Sequence, residues 1–126
     1  ESMKIKALIV DDEKIIADSI QMALLNDGVI TSVSRANDGK SAFLKIKDHH
    51  HELIILDLNM PGLNGVDLIK KLKEIPSYQP TILIISGSVD GDNIKELLSL
   101  GIKNILTKPF STKEIVEKVK TLLPQS

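Results

Sequence analysis

Carboxylates, a hydroxyl and an ammonium group stand at the ends of short apolar runs in this chain. Asp11 and Asp12 follow the first run, and Asp57 follows the third. Ser86 comes directly after the fourth run, and Lys108 comes just after the fifth. If these five residues meet in one cleft, they supply the groups that phosphoryl transfer to an aspartate requires. The carboxylate would attack, while the ammonium and the hydroxyl would bind the phosphoryl oxygens.

Clustered carboxylates need a cation nearby. Two of them about 4 Å apart repel by about 4 kcal/mol at an effective dielectric constant of 20. Lys108 supplies one positive charge, which does not balance three carboxylates. Because the available ligands are oxygens, the missing positive charge predicts Mg²⁺. We interpret Asp57 as the nucleophile because it stands alone after the third run. The adjacent pair Asp11 and Asp12 is better suited to hold the metal.

The elements that must position these residues follow a regular alternation. Apolar runs typical of strands cover residues 4–10, 29–34, 53–56, 81–85 and 103–106. A helical pattern follows each run. Such an alternation predicts right-handed βαβ crossovers and a parallel sheet with helices on both faces. In open sheets of this kind, the working site lies beyond the carboxyl ends of the strands.

Helix ends are also visible in the sequence. Asp11 or Asp12 is placed to cap the first helix, Asp38 opens the second, and Asn64 is a candidate cap for the third. Gly101 is suited to end the fourth helix, whose apolar face is Ile94, Leu97 and Leu98. The segment 111–114 (STKE) predicts a capping box for the fifth helix.

Length and composition limit the alternatives. The chain has 126 residues, with 16 Lys and Arg against 17 Asp and Glu and no Cys. We expect one domain, residues 4–123, with residues 1–2 as an expression remnant before Met3. The absence of Cys excludes a disulfide scaffold and a thiolate metal site. The near-neutral charge argues against direct nucleic-acid binding, and no apolar run is long enough to span a membrane, so a cytoplasmic location is expected.

Four motifs together resemble a known family. They are Asp11-Asp12-Glu13, the segment 57–65 (DLNMPGLNG), Ser86-Gly87 and Lys108-Pro109-Phe110. In this order they resemble the receiver domain of two-component response regulators, the CheY-like family, over residues 4–123. The resemblance implies a flavodoxin-like (βα)5 fold, doubly wound, with a five-stranded parallel sheet in the order 2-1-3-4-5.

The resemblance also implies a function and its site. Asp57 would accept a phosphoryl group from a histidine kinase or a phosphotransfer protein, in the presence of Mg²⁺ or Mn²⁺. Ser86 and Lys108 would contact the phosphoryl group, and Lys108-Pro109 would be a cis peptide. The implied metal ligands are Asp11, acting largely through water, Asp12, Asp57 and the backbone carbonyl of Asn59. Asn59 and Ser88 match positions that tune phosphoryl-aspartate hydrolysis.

A receiver of this kind is a switch for a downstream effector protein or domain. It would catalyse only its own phosphorylation and dephosphorylation. A phosphorylation-dependent homodimer through the fourth and fifth helices is left open, because no pattern distinguishes it. Ile105 departs from the family, which usually carries an aromatic residue three positions before the lysine. The usual aromatic readout of phosphorylation is therefore not expected here.

Two other functions remain as alternatives. A docking module that has lost phosphorylation would use the same fold, although the intact Asp57 and Lys108 argue against it. A Mg²⁺-dependent aspartyl phosphatase commonly has an Asp-x-Asp pattern after the first strand and a cap or insertion for its substrate. Here residues 11–13 are Asp-Asp-Glu, and no insertion interrupts the alternation of strands and helices. Three successive histidines, residues 49–51, are interpreted as a solvated loop rather than a metal site.

Overall fold

Strands and helices alternate along the chain in the computed structural model, which describes residues 5–60, 65–87 and 91–123 except the side chains of residues 91 and 92. The strands are β1 Lys6–Val10, β2 Ser32–Ala36, β3 Leu53–Asp57, β4 Thr81–Ser86 and β5 Ile105–Thr107. The helices are α1 Lys14–Asp27, α2 Gly39–Asp48, α3 Gly65–Lys73, α4 Gly91–Ser99 and α5 Thr112–Leu122. Each strand is followed by its helix, as the apolar pattern predicts.

The five strands form one parallel sheet in the order β2-β1-β3-β4-β5. This confirms the flavodoxin-like arrangement. Two strands lie later in the chain than expected: β2 covers 32–36 rather than 29–34, and β5 covers 105–107 rather than 103–106. Pairing with the neighbouring strand decides these bounds, because Lys6 is opposite Ser32 and Ile84 is opposite Ile105.

The core consists of two apolar layers, one on each face of the sheet. Alternate residues of a strand point to opposite faces. Ile54 therefore joins the layer under α2, α3 and α4, whereas Ile55 joins the layer under α1 and α5. All five residues of β3 are buried, as expected for a central strand that is covered on both faces.

Most predicted helix ends are present. Asp38 accepts a hydrogen bond from the Ser41 N–H, and Ser111 and Glu114 form the capping box of α5. Asn64 lies outside the described residues. The cap predicted for α1 is wrong: the helix begins after Glu13, which makes no side-chain cap bond. Asp11 is too early to cap the helix, because its Oδ1 accepts from the N–H of Glu13 itself.

Two surface interpretations also change. In α4 only Leu97 of the predicted apolar face is buried, because Ile94 and Leu98 point outward. His51 is not solvated, since 3% of its surface is exposed. The Tyr78 hydroxyl donates to the His51 carbonyl oxygen at 2.6 Å, and the Tyr78 ring lies 4.6 Å from the ring of His50. The loop that carries Tyr78 therefore covers this segment.

Within the described parts of the chain, the helices are too short or too polar to cross a membrane.

Candidate functional site

Acidic residues meet where the carboxyl ends of β1 and β3 lie side by side. Asp57 is the last residue of β3, and three acidic residues follow β1 without a break. Carboxylate oxygens of all four residues lie within 4.8 Å of one another; the set is Asp11, Asp12, Glu13 and Asp57. Because the strands are parallel and adjacent, the fold alone places these acids together.

Asp57 is held in a fixed orientation at the base of this acidic pocket. Its side chain is fully buried. Oδ1 accepts a hydrogen bond from the Asn59 N–H at 2.8 Å, and Oδ2 accepts one from the Lys108 ammonium at 3.0 Å. Both carboxylate oxygens therefore have a donor, and one of these donors carries a positive charge.

Asp11 is buried beside Asp57 but is less well paired. It is 4% exposed, and its Oδ1 accepts from the Glu13 N–H at 2.8 Å. Its Oδ2 is buried and has no hydrogen-bond partner among the described residues. Burial raises the pKa of Asp11 to about 6; the Glu13 N–H opposes this rise, and the Asp57 charge adds to it. Asp12, by contrast, is exposed.

Lys108 brings a positive charge to these acids from the end of β5. Its ammonium is 3.0 Å from Asp57 Oδ2 and 3.2 Å from Glu13 Oε1, with 17% of the side chain exposed. Burial lowers the pKa of Lys108, but the hydrogen bonds to both carboxylates outweigh burial and raise it. The Lys108 N–H donates to the Ser86 carbonyl at 2.8 Å, and the peptide before Pro109 is cis.

Ser86 faces the same edge from the end of β4. Its side chain is fully buried, and its hydroxyl is 3.0 Å from the side-chain oxygen of Asn59. The Gly87 N–H donates to that same Asn59 oxygen at 2.6 Å. Ser88 lies outside the described residues.

Two contacts of the site were not expected from the sequence. Glu13 was noted only as part of an acidic run, yet it shares the Lys108 ammonium with Asp57. The resemblance implies that Asn59 offers its backbone carbonyl to a metal and tunes phosphoryl-aspartate hydrolysis, and the structure adds that its side chain joins the loops after β3 and β4. The acidic run is a signal for Glu13, whereas no pattern indicates that the Asn59 side chain contacts Ser86 and Gly87.

The donor set suits a hard divalent cation. Carboxylates and a backbone carbonyl are the oxygen ligands that Mg²⁺ and Mn²⁺ accept, and Mg²⁺ commonly uses one or two carboxylates together with water and phosphate oxygens. The unpaired Oδ2 of Asp11 faces no donor of the described chain, so a cation would satisfy it. The residues therefore fit such a metal.

Ile105 is partly buried at the start of β5. It packs against the apolar layer under α2, α3 and α4 and is opposite Ile84. An aliphatic side chain here has no ring to move between a buried and an exposed position.

Comparison with known proteins identifies a family and several relatives that match nearly the whole chain. The family described as response regulator receiver domain matches residues 7–120. Over 122 residues the chain is 31% identical to the transcriptional regulatory protein TrcR of Mycobacterium tuberculosis, covering 97% of this chain and 46% of that protein. Over 121 residues it is 36% identical to the regulatory protein VanRc of Enterococcus gallinarum, and the match covers 96% of this chain and 51% of that protein. The chain thus spans about half the length of these curated relatives.

A solved structure shows the same fold. The chemotaxis response regulator CheY4 of Vibrio cholerae superposes with a TM-score of 0.84 at 27% sequence identity. The match covers 96% of this chain and 100% of that one.

Proposed function

Because this chain belongs to the response regulator receiver domain family, we propose that it is the phosphoacceptor domain of a two-component system and is modified on Asp57. One observation carries the residue assignment. Asp57 is the fully buried carboxylate that contacts the Lys108 ammonium, at 3.0 Å, in the pocket where the acids after β1 converge, whereas Glu13, which also contacts this ammonium, is exposed. The donor would be a histidine kinase or a phosphotransfer protein, and phosphorylation would change the binding of a downstream effector in the cytoplasm.

The residues of the chain have distinct tasks in this transfer. A carboxylate oxygen of Asp57 attacks phosphorus, and the bond from phosphorus to the donor nitrogen breaks with its electron pair leaving on the donor. The Asn59 N–H holds the carboxylate in position. The Lys108 ammonium and the Ser86 hydroxyl donate hydrogen bonds to the phosphoryl oxygens, which stabilises the charge that they carry.

Asp11, Asp12, Asp57 and the backbone carbonyl of Asn59 would hold Mg²⁺, with Mn²⁺ as a substitute. When bound, the metal would neutralise charge on the acids and on the phosphoryl oxygens. The unpaired Asp11 Oδ2 supports this assignment. The domain would act only on its own aspartate, as a signalling domain rather than an enzyme with a separate substrate.

Mass spectrometry of the intact protein tests the assignment. Wild type, Asp57→Asn and Asp48→Asn are incubated with acetyl phosphate and Mg²⁺, and parallel samples contain EDTA. We expect one phosphoryl group on wild type and on Asp48→Asn, whose residue is exposed at the end of α2, and none on Asp57→Asn or with EDTA. Equal labelling of all three proteins would place the modification elsewhere.

The same experiment, together with a sample that contains a phosphomonoester, separates the alternative functions. A folded wild-type protein that stays unlabelled would favour a docking module that works without phosphorylation. Repeated turnover of an added phosphomonoester would instead favour an aspartyl phosphatase.

A further inference from the structure

Lys108 is held between an inner and an outer carboxylate. Its ammonium lies 3.0 Å from Asp57 Oδ2 and 3.2 Å from Glu13 Oε1. The Asp57 side chain is fully buried, whereas 56% of the Glu13 side chain is exposed. In the sheet, β3 and β4 lie between β1 and β5. Glu13 follows β1 and Lys108 follows β5, so this ion pair crosses the edge of the sheet that carries Asp57.

Helix α1 does not account for the position of the Glu13 side chain. Glu13 directly precedes α1, at the position from which a side-chain oxygen often caps a helix, yet it makes no side-chain cap bond. Its carboxylate contacts Lys108 and no other cationic side chain of the described chain. An ammonium has three protons, so Lys108 can donate to both carboxylates at once. The outer contact therefore does not depend on the inner one.

The inner contact is the one that the proposed chemistry disturbs. Asp57 would bind a divalent cation and then a phosphoryl group, so its carboxylate would be shared with other partners. Lys108 would also be repelled by a divalent cation beside Asp57, because both are positively charged. Glu13 is not one of the proposed metal ligands, and its charge stays available to Lys108.

We propose that Glu13 is a positioning residue whose negative charge keeps the Lys108 ammonium at the pocket when Asp57 is no longer its partner. The inference rests on the proposed function and deepens it, because it names the residue that keeps the lysine in place during metal binding and phosphoryl transfer. Glu13 acts through Lys108 and does not itself contact the phosphoryl group.

Removing the inner carboxylate by substitution tests this role without a metal or a phosphoryl group. NMR of lysine ammonium groups measures how fast Lys108 exchanges protons with water, and the signal is assigned by its absence in Lys108→Arg. In EDTA, we expect Asp57→Asn combined with Glu13→Gln to exchange about 2- to 5-fold faster than Asp57→Asn alone, the factor typical of an exposed ion pair. Glu74→Gln, which changes an exposed glutamate just after α3, is the matched control and should have no effect.

Two results of this comparison would overturn the proposal. One is equal exchange in Asp57→Asn with and without Glu13→Gln. The other is faster exchange only when Glu13→Ala replaces Glu13→Gln, because glutamine keeps an acceptor oxygen and loses only the charge. Glu13 is exposed, so its variants should fold, which thermal melting checks.

Mg²⁺ provides a second test, with Asp57 intact. We expect Mg²⁺ to accelerate Lys108 exchange in Glu13→Gln by about 2- to 5-fold, and to leave it slow in wild type and in Glu74→Gln. An equal response of Lys108 to Mg²⁺ in all three proteins would contradict the role of Glu13.

Calorimetric titration with Mg²⁺ separates this role from direct metal binding. The carboxylate oxygens of Glu13 and the other pocket acids lie within 4.8 Å of one another, so Glu13 could itself be a ligand. We expect Glu13→Gln to keep more Mg²⁺ affinity than Asp12→Asn. Equal losses of affinity would make Glu13 a ligand and overturn the proposal. A wild type that binds no Mg²⁺ and takes no phosphoryl group would instead refute the proposed function, and the metal-free comparison would still decide the role of Glu13.

Discussion

We expect Asp11 to destabilise the metal-free fold at neutral pH, because its buried carboxylate is only partly paired. Its Oδ2 has no partner among the described residues, and burial raises its pKa to about 6. An acid with a raised pKa in the folded state opposes folding when it is ionised, and a neutral isostere removes this effect. We expect Asp11→Asn, in EDTA at pH 7, to raise the free energy of unfolding by about 1–2 kcal/mol in urea denaturation.

The pH dependence of this gain identifies its cause. As pH falls from 7 through about 6 towards 4, Asp11 of the wild type becomes neutral in the folded protein before it does so in the unfolded chain. The difference between Asp11→Asn and wild type should therefore shrink over this range. Asp48→Asn is the control and should change stability by less than about 0.5 kcal/mol. A gain that stays constant down to pH 4 would contradict an electrostatic origin.

At the scale of the elements, α1 and α4 end in the same way. Gly28 and Gly101, which follow these helices, have φ values of 85° and 83°. A side chain has room at both places: nothing lies within 4 Å of a Cβ at Gly28, and the nearest atom at Gly101, Lys73 Nζ, is 3.8 Å away. Only the backbone conformation therefore disfavours other residues.

We expect Gly28→Ala and Gly101→Ala each to lower the free energy of unfolding by about 1 kcal/mol, because alanine tolerates the left-handed conformation poorly. Asparagine adopts this conformation more readily, so Gly28→Asn and Gly101→Asn should lower the free energy of unfolding by less than the alanine variants do. Urea denaturation of the four variants measures the difference. Equal losses for alanine and asparagine would show that something other than the backbone angle is responsible.

For the molecule as a whole, the two ends of the sheet respond to acid in opposite ways. His51 precedes β3, at the end away from Asp57, and burial lowers its pKa, an effect only partly offset by the Glu52 carboxylate. His49 and Lys6 add further positive charge near it. As pH falls through about 6.5, His51 is therefore protonated in the unfolded chain before it is protonated in the folded protein. The free energy of unfolding then decreases as pH decreases, by at most about 1.4 kcal/mol per pH unit.

The contribution of His51 is best measured in an Asp11→Asn background, because Asp11 titrates with the opposite sign over an overlapping range. We expect His51→Gln to reduce the acid-dependent loss of stability between pH 7 and 5. His50→Gln changes an exposed neighbour and should not alter the loss of stability between pH 7 and 5. An identical pH profile for His51→Gln and its parent would show that His51 does not titrate on unfolding.

The order of elements and the candidate residues at their ends could be predicted without a structure. Apolar periodicity is a local property, so it indicates each strand and helix, and parallel strands bring their carboxyl ends to one edge. This reasoning places Asp57, Ser86 and Lys108 at the same edge, where the structure has them. Capping by Asp38 and Ser111 is local in the same way.

Contacts between distant parts of the chain were decided only by the tertiary structure. The Glu13–Lys108 pair joins residues 95 positions apart, and the Asn59–Ser86 hydrogen bond joins residues 27 apart. The hydrogen bond from the Tyr78 hydroxyl to the His51 carbonyl likewise joins residues 27 apart. Such contacts depend on strand register and on the direction of each side chain, which arise only when the elements pack together. The local pattern of the chain therefore specifies which residues meet at this edge of the sheet, and packing determines which side chains hold them in place.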